Sequence, residues 1–299
     1  MEEKNIKVSV VITAYNVEKY IKKAINSVLN QTYKNIEIIV VEDCSTDNTL
    51  KFIKGLQKSD LAFPINLVQH KENVGAGLSR RDGIKASTGD FIMLLDADDW
   101  LNKDYIEHLV DRQKETDADI VGGGITYCYE DTDKFETNTF GTTVSEGFQK
   151  FADYNDGKIV FLNNKIVRST MYDTVEYCDR RYVEDTPVIM KLLYNANKVA
   201  YVNEAGYNYL QRNGSLCHDS SRWKHNLFCA LCCAELIEWF KDKPEPYKTI
   251  FGLGQFVEYL KAMNEIQVTK EEKQTYIEEY DQCMKLSLIH ISEPTRRYA

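Results

Sequence analysis

The stretch Phe91-Ile-Met-Leu-Leu-Asp-Ala-Asp-Asp99 decides the fold, because it joins an apolar run to a cluster of carboxylates. A short apolar run is typical of a strand that is buried on both faces. Open α/β sheets bind ligands beyond the carboxyl ends of their strands, where Asp96, Asp98 and Asp99 would lie. Crowded carboxylates repel one another, and such hard oxygen ligands suit Mg²⁺ or Mn²⁺ bridged to phosphate. The stretch therefore predicts a metal–diphosphate site.

Strand-like and helix-like segments alternate around this stretch. Apolar, β-branched runs are followed by segments in which apolar residues recur at helical spacing. The alternation predicts an α/β fold with a mostly parallel sheet flanked by helices. The predicted strands are 8–13, 36–41, 65–70, 91–95 and one that begins at 120, and the predicted helices are 17–29, 49–58, 75–86 and 102–116.

The second half of the chain changes character. Residues 127–147 are polar and predicted to be irregular, and further elements are predicted at 165–168, 188–194 and 199–202. After Ser221 the pattern is helical over 223–241, 247–265 and 270–284, which indicates a C-terminal helical region. We expect one domain over 1–220 and a helical region over 221–285 that is cut short.

The last residues are treated separately. Leu286–Arg296 resembles the conceptual translation of a sequencing adapter, so 286–299 is expected to be a non-native tail and His290 is given no role. The N-terminus has no signal peptide, and no stretch reaches the ~20 apolar residues of a membrane span. The expected location is therefore the cytoplasm.

Charge and cysteine content exclude two classes of function. The formal net charge is −9, and an acidic chain is a poor general binder of nucleic acid because phosphate contacts need an excess of Lys and Arg. The eight cysteines are scattered, which is typical of reduced thiols in a cytosolic protein. Cys229, Cys232 and Cys233 lack a second Cys/His pair at zinc-finger spacing.

Several motifs in order carry a family resemblance. They are Val8–Asn16, Ser27–Tyr33, Val40–Asp47, Asn73-Val-Gly75 with Arg80 and Gly83, and Asp96–Asp99, followed more weakly by Asn164-Lys165, Glu184-Asp185 and Gln211–Ser215. Together they resemble the family 2 glycosyltransferases, which have the GT-A fold. The resemblance implies an inverting enzyme that takes a sugar from a nucleoside-diphosphate sugar, with UDP as the expected nucleotide and Mn²⁺ or Mg²⁺ as cofactor.

The resemblance also implies a donor site. Uracil and ribose would contact the loop of Thr13, Tyr15 and Asn16, and the Asp43 carboxylate would accept the uracil N3–H. Glu42 and Cys44 depart from the usual Asp and Gly on either side of Asp43, so the turn there needs testing. The remaining implied donor contacts are Arg80 (or its neighbour Arg81), Asp96, Arg212 and Ser215.

The resemblance assigns the metal to Asp98 and Asp96, with Asp99 and His218 as further candidates. Asp99 has two alternatives: it would support the ligands, or it would favour the N-terminus of the next helix through the helix dipole. A lone loop histidine such as His218 is more often solvated than bound to metal.

Glu184-Asp185 precedes a predicted helix, and Pro187 suits the first turn of such a helix. The resemblance implies that Asp185 is the general base and that Glu184 supports it. A positioned carboxylate that removes the proton of an attacking hydroxyl contributes ~10²–10⁴-fold to rate. The alternative is that Asp185 only caps the helix.

Two other functions stay open at this point. A nucleotidyltransferase also needs carboxylates, metal and a diphosphate, but it would carry a Gly-rich, basic loop where this chain has Thr13–Asn16. A chain that lacks its true C-terminal helices would bind nucleotide without turning over. The resemblance suggests a glycan or lipid-linked acceptor in surface polysaccharide synthesis, and a lipid-linked acceptor would imply peripheral contact with the inner membrane's cytoplasmic face.

Overall fold

The computed structural model describes the backbone over most of the first 248 residues of the chain. The described residues are 5–59, 62–130, 132–155, 157–158, 161–177, 185–212, 222–245 and 247–248. Two compact units are present: Met1–Arg181 with Val188–Asn213, and Tyr182–Pro187 with Gly214–Ala299. The predicted domain boundary at 220 lies outside the described residues.

The elements alternate as the sequence predicts. The strands are β1 (Val8–Ala14), β2 (Ile36–Glu42), β3 (Ile65–Gln69), β4 (Phe91–Asp96), β5 (Trp100–Leu101), β6 (Ile120–Gly122), β7 (Ile125–Tyr129), β8 (Phe135–Asn138), β9 (Val144–Glu146), β10 (Lys165–Arg168), β11 (Lys198–Tyr201) and β12 (Tyr207–Gln211). The α-helices are α1 (Ile21–Leu29), α2 (Thr49–Leu56), α3 (Ala76–Ala86), α4 (Tyr105–Thr116), α5 (Gln149–Asn155), α6 (Asp185–Asn195) and α7 (Arg222–Phe240), and Ser169–Thr174 forms a 3₁₀ helix.

Among the described residues the larger sheet has the order β3-β2-β1-β4-β10-β6-β11-β9. Strands β3, β2, β1 and β4 are parallel, and β10 is antiparallel to both of its neighbours. A smaller sheet has the order β5-β12-β7-β8. The mostly parallel sheet flanked by helices confirms the predicted GT-A class of α/β fold.

The core explains why the four parallel strands have near-continuous apolar sequences. In β1, all seven residues except Thr13 are buried, and α1 buries Ile21, Ala24, Ile25 and Val28, whose spacing places them on one helical face. Strands covered by helices on both faces lose the polar alternation of half-exposed strands.

Helix α3 lies so close to the sheet that position 83 has no space for a side chain. A Cβ atom added to Gly83 would lie 2.3 Å from Cγ1 of Val11 and 2.8 Å from Cγ2 of Val41. Glycine at this position therefore allows α3 to pack directly on β1 and β2. Arg80 lies one turn earlier and is also buried.

One sequence prediction about the fold is wrong. Residues 127–147 were expected to be irregular, but they contain most of β7 and all of β8 and β9. Strand β8 pairs with β7 in antiparallel register, and its four residues are all exposed. Because it buries nothing, β8 has no apolar alternation by which a sequence pattern could reveal it.

The predicted C-terminal helices are described only in part. Helix α7 agrees with the predicted helix that begins near residue 223. The helices predicted over 247–265 and 270–284 lie outside the described residues, apart from 247 and 248. Within the part of the chain that is described, no helix has both the length and the apolar character needed to cross a membrane.

Candidate active site

The carboxyl ends of β1, β2 and β4 lie side by side. Thr13 is in register with both Val41 and Asp96, and its hydroxyl lies 3.4 Å from Oδ1 of Asp96. The loops that follow these strands therefore meet at one edge of the sheet, where ligands of open α/β sheets bind. This edge holds most of the predicted donor residues.

The loop after β1 is tied to the loop after β2. Asn16 has a φ of 52°, and its Oδ1 accepts a hydrogen bond of 2.8 Å from the backbone N–H of Thr46. The backbone N–H of Asn16 donates to the hydroxyl of Ser45 at 3.1 Å. Tyr15 is 46% exposed between them, so its ring has a free face on which a planar ligand could stack.

Asp43 is buried and fully hydrogen-bonded. Its Oδ1 accepts from the backbone N–H of Val74 and contacts Nδ1 of His70, at 2.9 and 2.8 Å. Its Oδ2 accepts from the backbone N–H of Gly75 at 2.9 Å and from Nδ2 of Asn73 at 3.0 Å. A carboxylate has about four acceptor positions, so Asp43 holds the 70–75 loop against the end of β2. Its implied contact with a uracil N3–H stays a prediction.

Cys44 keeps the turn geometry that the usual glycine would adopt. Its φ is 60°, in the left-handed region, which costs a residue with a Cβ atom ~1–2 kcal/mol. The side chain of Glu42 accepts a hydrogen bond of 2.6 Å from the backbone N–H of Ser45 across this turn. The departure from the family motif thus places a residue with a Cβ atom in a backbone conformation that favours glycine.

Of the two arginines on α3, Arg80 is the one that faces the acidic cluster. It is 5% exposed, and its Nη2 lies 3.1 Å from Oδ1 of Asp96. Arg81 instead forms an ion pair with its neighbour Asp82, with Nε and Oδ1 2.8 Å apart. The pairing places one buried positive charge beside the first carboxylate of the cluster.

Asp98 and Asp99, which follow one another, occupy different environments. The Asp98 side chain is 20% exposed, and its Oδ2 lies 2.8 Å from Nε of Arg212. Burial raises the pKa of Asp98, the charge of Asp96 adds to this, and the contact with Arg212 opposes it. Asp98 therefore has an accessible carboxylate whose negative charge is only partly compensated.

Asp99 is turned into the protein. It is 1% exposed; its Oδ2 accepts from the hydroxyl of Tyr207 at 2.5 Å, and its Oδ1 accepts from the backbone N–H of Leu210 at 2.8 Å. Burial and the charges of Asp96 and Asp98 raise its pKa well above the ordinary value. Both oxygens thus join the acidic cluster to β12, which favours a supporting role over metal ligation.

Asn163 and Tyr207 complete this network, and neither was predicted to be a site residue. Nδ2 of Asn163 donates to Oδ2 of Asp96 at 2.8 Å and to the hydroxyl of Tyr207 at 3.0 Å. The neighbouring Lys165 is fully buried, and its ammonium donates to the carbonyl oxygens of Phe161 and Asn163. The Asn164-Lys165 motif was the available signal, because it fixes the turn that carries Asn163.

Arg212 follows β12, and its side chain contacts two distant parts of the chain. Beyond Asp98, its guanidinium lies 5.2 Å from the ring centroid of Tyr20, and the Tyr20 hydroxyl donates to Oε1 of Glu130 at 2.5 Å. The backbone N–H of Glu130 donates to the carbonyl oxygen of Gln211. Tyr20 and Glu130 carry no motif in the sequence, so only the fold reveals them.

Comparison with known proteins assigns the chain to a protein family. Residues 9–175 match the family model described as glycosyl transferase family 2, which is more than half of the chain. The chain belongs to glycosyltransferase family 2. Strands β2, β3 and β4, all of β1 except Val8, and the whole Asp96–Asp99 cluster fall within the matched residues.

Two of the relatives of this family 2 glycosyltransferase are proteins of Streptococcus pneumoniae. Glycosyltransferase GlyG of Streptococcus pneumoniae is 28% identical over 306 residues, which cover 96% of this chain and 97% of GlyG. Glycosyltransferase GlyA of the same organism is 28% identical over 236 residues, or 75% of this chain, which spans only 34% of GlyA.

Solved structures share the fold at low identity. Residues 1–349 of Staphylococcus aureus TarS, in complex with UDP-GlcNAc, match 94% of this chain and 81% of theirs, with a TM-score of 0.73 and 22% identity. The mannosyltransferase PcManGT of Pyrobaculum calidifontis, in complex with GDP-Man and Mn²⁺, matches 98% of this chain and 83% of its own, with a TM-score of 0.59 and 14% identity.

The carboxylates of this glycosyltransferase fit a metal that is shared with a ligand. Within the described ranges, no three or more His, Cys, Asp or Glu side chains are grouped to hold an ion by themselves. Mg²⁺ is usually bound through one or two carboxylates together with substrate phosphates. Asp98, with Asp96 close enough to raise its pKa, matches that donor set.

Four of the predicted site residues cannot be placed against this cluster. Glu184, Ser215 and His218 lie outside the described residues. Asp185 is described as the first residue of α6, and it belongs to the second compact unit. Its position at the start of a helix agrees with both the predicted base and the capping alternative.

Proposed function

We propose that this family 2 glycosyltransferase moves a sugar from a UDP-sugar to a hydroxyl of a glycan or lipid-linked acceptor, with inversion and with a divalent metal. The observation that carries the proposal is the alternation of charges at the carboxyl edge of the sheet. Arg80 pairs with Asp96, and Arg212 pairs with Asp98, at 3.1 and 2.8 Å. Two carboxylates suit a cation, and two guanidinium groups suit the phosphates that the cation would accompany.

A separate group of residues supports the proposal for the nucleoside end of the donor. The exposed ring of Tyr15 and the cross-linked loops after β1 and β2 lie at the same edge as the carboxylates. Stacking on an aromatic ring is worth ~1–3 kcal/mol per base in nucleic-acid sites. UDP is proposed as the nucleotide because the family resemblance implies it and because TarS is solved with UDP-GlcNAc.

The proposed reaction is a single displacement. The acceptor oxygen forms a bond to the anomeric carbon as the bond from that carbon to the UDP oxygen breaks, and the hydroxyl proton passes to Asp185. When bound, Mn²⁺ or Mg²⁺ would neutralise negative charge on the departing diphosphate, an effect worth several kcal/mol. Arg80 and Arg212 would bind the same phosphates and orient them.

The first experiment is calorimetric titration of the full chain with UDP, GDP and CDP, with and without Mn²⁺. The test variant is Asp98→Ala, and the matched control is Asp111→Ala, whose carboxylate is 60% exposed on α4. Metal-dependent binding that prefers UDP and is lost only in Asp98→Ala supports the donor site. Equal binding by both variants, or no preference for UDP, contradicts it.

The proposed base needs a separate test. Asp185→Asn should lower turnover by ~10²-fold or more and leave the affinity for UDP unchanged. Near-normal turnover in this variant would leave only the capping role for Asp185. Donor hydrolysis or sugar transfer by the full chain would exclude the alternative of a nucleotide-binding but inactive chain.

The cellular setting is also part of the proposal. We expect synthesis of a surface polysaccharide in the cytoplasm, with peripheral contact at the inner face of the membrane when the acceptor is lipid-linked. The supporting argument is the family resemblance. Fractionation of cells that express the protein, with and without a lipid-linked acceptor, measures where it resides.

A further inference from the structure

The guanidinium of Arg212 lies between two sets of partners. On one side Oδ2 of Asp98 is 2.8 Å from its Nε. On another, the Tyr20 ring centroid is 5.2 Å away, within the ~6 Å at which a cation is attracted to an aromatic face. The Tyr20 hydroxyl is fixed in turn by Glu130. Arg212 therefore has a second contact that does not involve Asp98.

The electrostatics of Arg212 involve both sets of partners. The guanidinium is in contact with the carboxylate of Asp98 and with the ring of Tyr20, whose hydroxyl donates to the carboxylate of Glu130. The side chains of Arg212 and Asp98 are 22% and 20% exposed, so both remain accessible to a ligand. Glu130 thus supplies negative charge near the guanidinium that does not depend on Asp98.

A metal at Asp98 would bring a second cation to a carboxylate that already pairs with Arg212. The carboxylate that is best placed to bind a metal already accepts the Arg212 hydrogen bond through Oδ2. A divalent ion at that oxygen would repel the guanidinium, because like charges a few ångströms apart in a partly buried site interact strongly. Metal and Arg212 therefore compete for Asp98.

We propose that Arg212 is an exchangeable counter-ion of Asp98, and that Tyr20 and Glu130 are positioning residues that hold it when a metal displaces it. The released guanidinium remains beside the site and is available to the donor's diphosphate. This inference rests on the proposed function for its diphosphate half. The exchange at Asp98 depends only on metal binding.

The exchange has a consequence that a simple ligand-binding arginine would not have. Removal of Arg212 takes away the competitor for Asp98, so the protein should bind metal more tightly in the absence of nucleotide. The same change removes a phosphate contact, so the metal–UDP complex should bind less tightly. The two affinities should therefore move in opposite directions.

The first test measures free Mn²⁺ by electron paramagnetic resonance during titration of the full chain without nucleotide. Arg212→Gln should bind Mn²⁺ about fivefold more tightly than the parent, and UDP with Mn²⁺ about tenfold less tightly. The matched control is Arg112→Gln, which removes the ion pair with Glu115 and the hydrogen bond to the carbonyl oxygen of Thr142, and should change neither affinity. Unchanged or weaker Mn²⁺ binding by Arg212→Gln overturns the exchange, as does failure of both proteins to bind Mn²⁺.

The second test concerns the positioning residues. Tyr20→Phe keeps the ring and removes the hydroxyl, and Glu130→Gln removes the charge. Each should leave Arg212 more firmly on Asp98 and weaken Mn²⁺ binding about threefold, but should have no effect when Arg212 is already Gln. A merely structural role would give the same change in both backgrounds and would overturn the assignment.

These outcomes separate the inference from the proposed function. If Arg212→Gln tightens Mn²⁺ binding while no variant binds UDP, the exchange at Asp98 is supported and the UDP donor is refuted. If UDP binds with metal but Arg212→Gln does not tighten Mn²⁺ binding, the donor site is supported and the exchange is refuted.

Discussion

Glu37 lies near the amino end of the parallel strands and Asp98 lies beyond their carboxyl end, and the two carboxylates are surrounded very differently. Glu37 receives hydrogen bonds from the ammonium of Lys7 at 2.7 Å, from the hydroxyl of Ser9, and from the backbone N–H and hydroxyl of Thr88 at 2.6 and 2.8 Å. Burial alone would raise its pKa, but these donors outweigh burial and lower the pKa to about 2.

At the other end the balance is reversed. Burial and mutual repulsion raise the pKa values of Asp98 and Asp99, even though Arg212 and Tyr207 are in contact with them. A carboxylate with enough donors stabilises a fold, whereas carboxylates that lack compensation are typical of sites that receive a cation. The same sheet thus has one end with a structural carboxylate and another end at which we propose the donor site.

The largest expected effect is a loss of activity on substitution of Asp98, at the carboxyl end of the parallel strands. Asp98→Asn should lower kcat/KM for sugar transfer by about 10³-fold, because metal assistance is worth several kcal/mol. Its free energy of unfolding should stay within ~1 kcal/mol of the parent, because relief of charge crowding offsets loss of the Arg212 pair. Steady-state kinetics and urea denaturation measure the two quantities. If Asp98→Asn were strongly destabilised but still active, Asp98 would be structural like Glu37, and the proposed difference between the two carboxylates would be wrong.

The second effect belongs to the structural end. Glu37→Gln should lower the free energy of unfolding by ~2 kcal/mol at neutral pH and leave UDP binding unchanged. The pKa of Glu37 falls from 4.5 to about 2 on folding, so its contribution is complete above about pH 5 and is lost as the pH falls towards 2.

Denaturation of the parent and of Glu37→Gln at several pH values tests whether the stabilisation by Glu37 is lost as the pH falls. The difference between them should shrink as the solution becomes more acidic. Glu115→Gln is the matched control, because that carboxylate is 65% exposed in its pair with Arg112. A difference that is constant with pH would show that Glu37 acts through packing rather than charge.

The third effect weakens the network that joins the acidic cluster to β12. Tyr207→Phe removes the hydroxyl that donates to Asp99 and accepts from Asn163, so two buried groups lose a partner. We expect a loss of ~2 kcal/mol in the free energy of unfolding. Tyr15→Phe, which alters an exposed ring, should change it by less than ~0.5 kcal/mol. Equal losses in thermal denaturation would mean that the network contributes nothing.

The smallest effect concerns the strained turn after β2. Cys44→Gly should raise the free energy of unfolding by ~0.5–1 kcal/mol, because glycine adopts the left-handed conformation at no steric cost. Cys44→Ala removes the same thiol and keeps the Cβ atom, so it should give no such gain. A gain in both variants would assign the effect to the thiol instead of the backbone.

The parallel half of the fold was predictable because burial leaves a strong pattern. Strands β1, β2 and β4 are covered on both faces, so their sequences are almost continuously apolar, and α1 shows a single buried face. Strand β8 was missed because all of its side chains are exposed. The spacing of apolar residues in a sequence indicates which side chains are buried, and an edge strand of a small sheet buries few of them.

The candidate site divides in the same way. The positions of Asp43, Asp96 and Asp98 at the carboxyl ends of strands were predictable, because their motifs follow apolar runs directly; their roles stay predictions. Asn163 and Tyr20 were not, because they reach the site through contacts with residues far away in the sequence. The orientation of the two arginine side chains could not be predicted from the sequence either, since only the structure shows which of Arg80 and Arg81 is buried.

The close approach of α3 to the sheet has a consequence for how such sequences can diverge. A side chain at position 83 would overlap Val11 and Val41, so it fits only if both valines become smaller at the same time. Three positions from three separate elements should therefore vary together among related sequences, or not at all. A mutational library at 11, 41 and 83 should contain a larger residue at 83 only in combination with glycine or alanine at the other two.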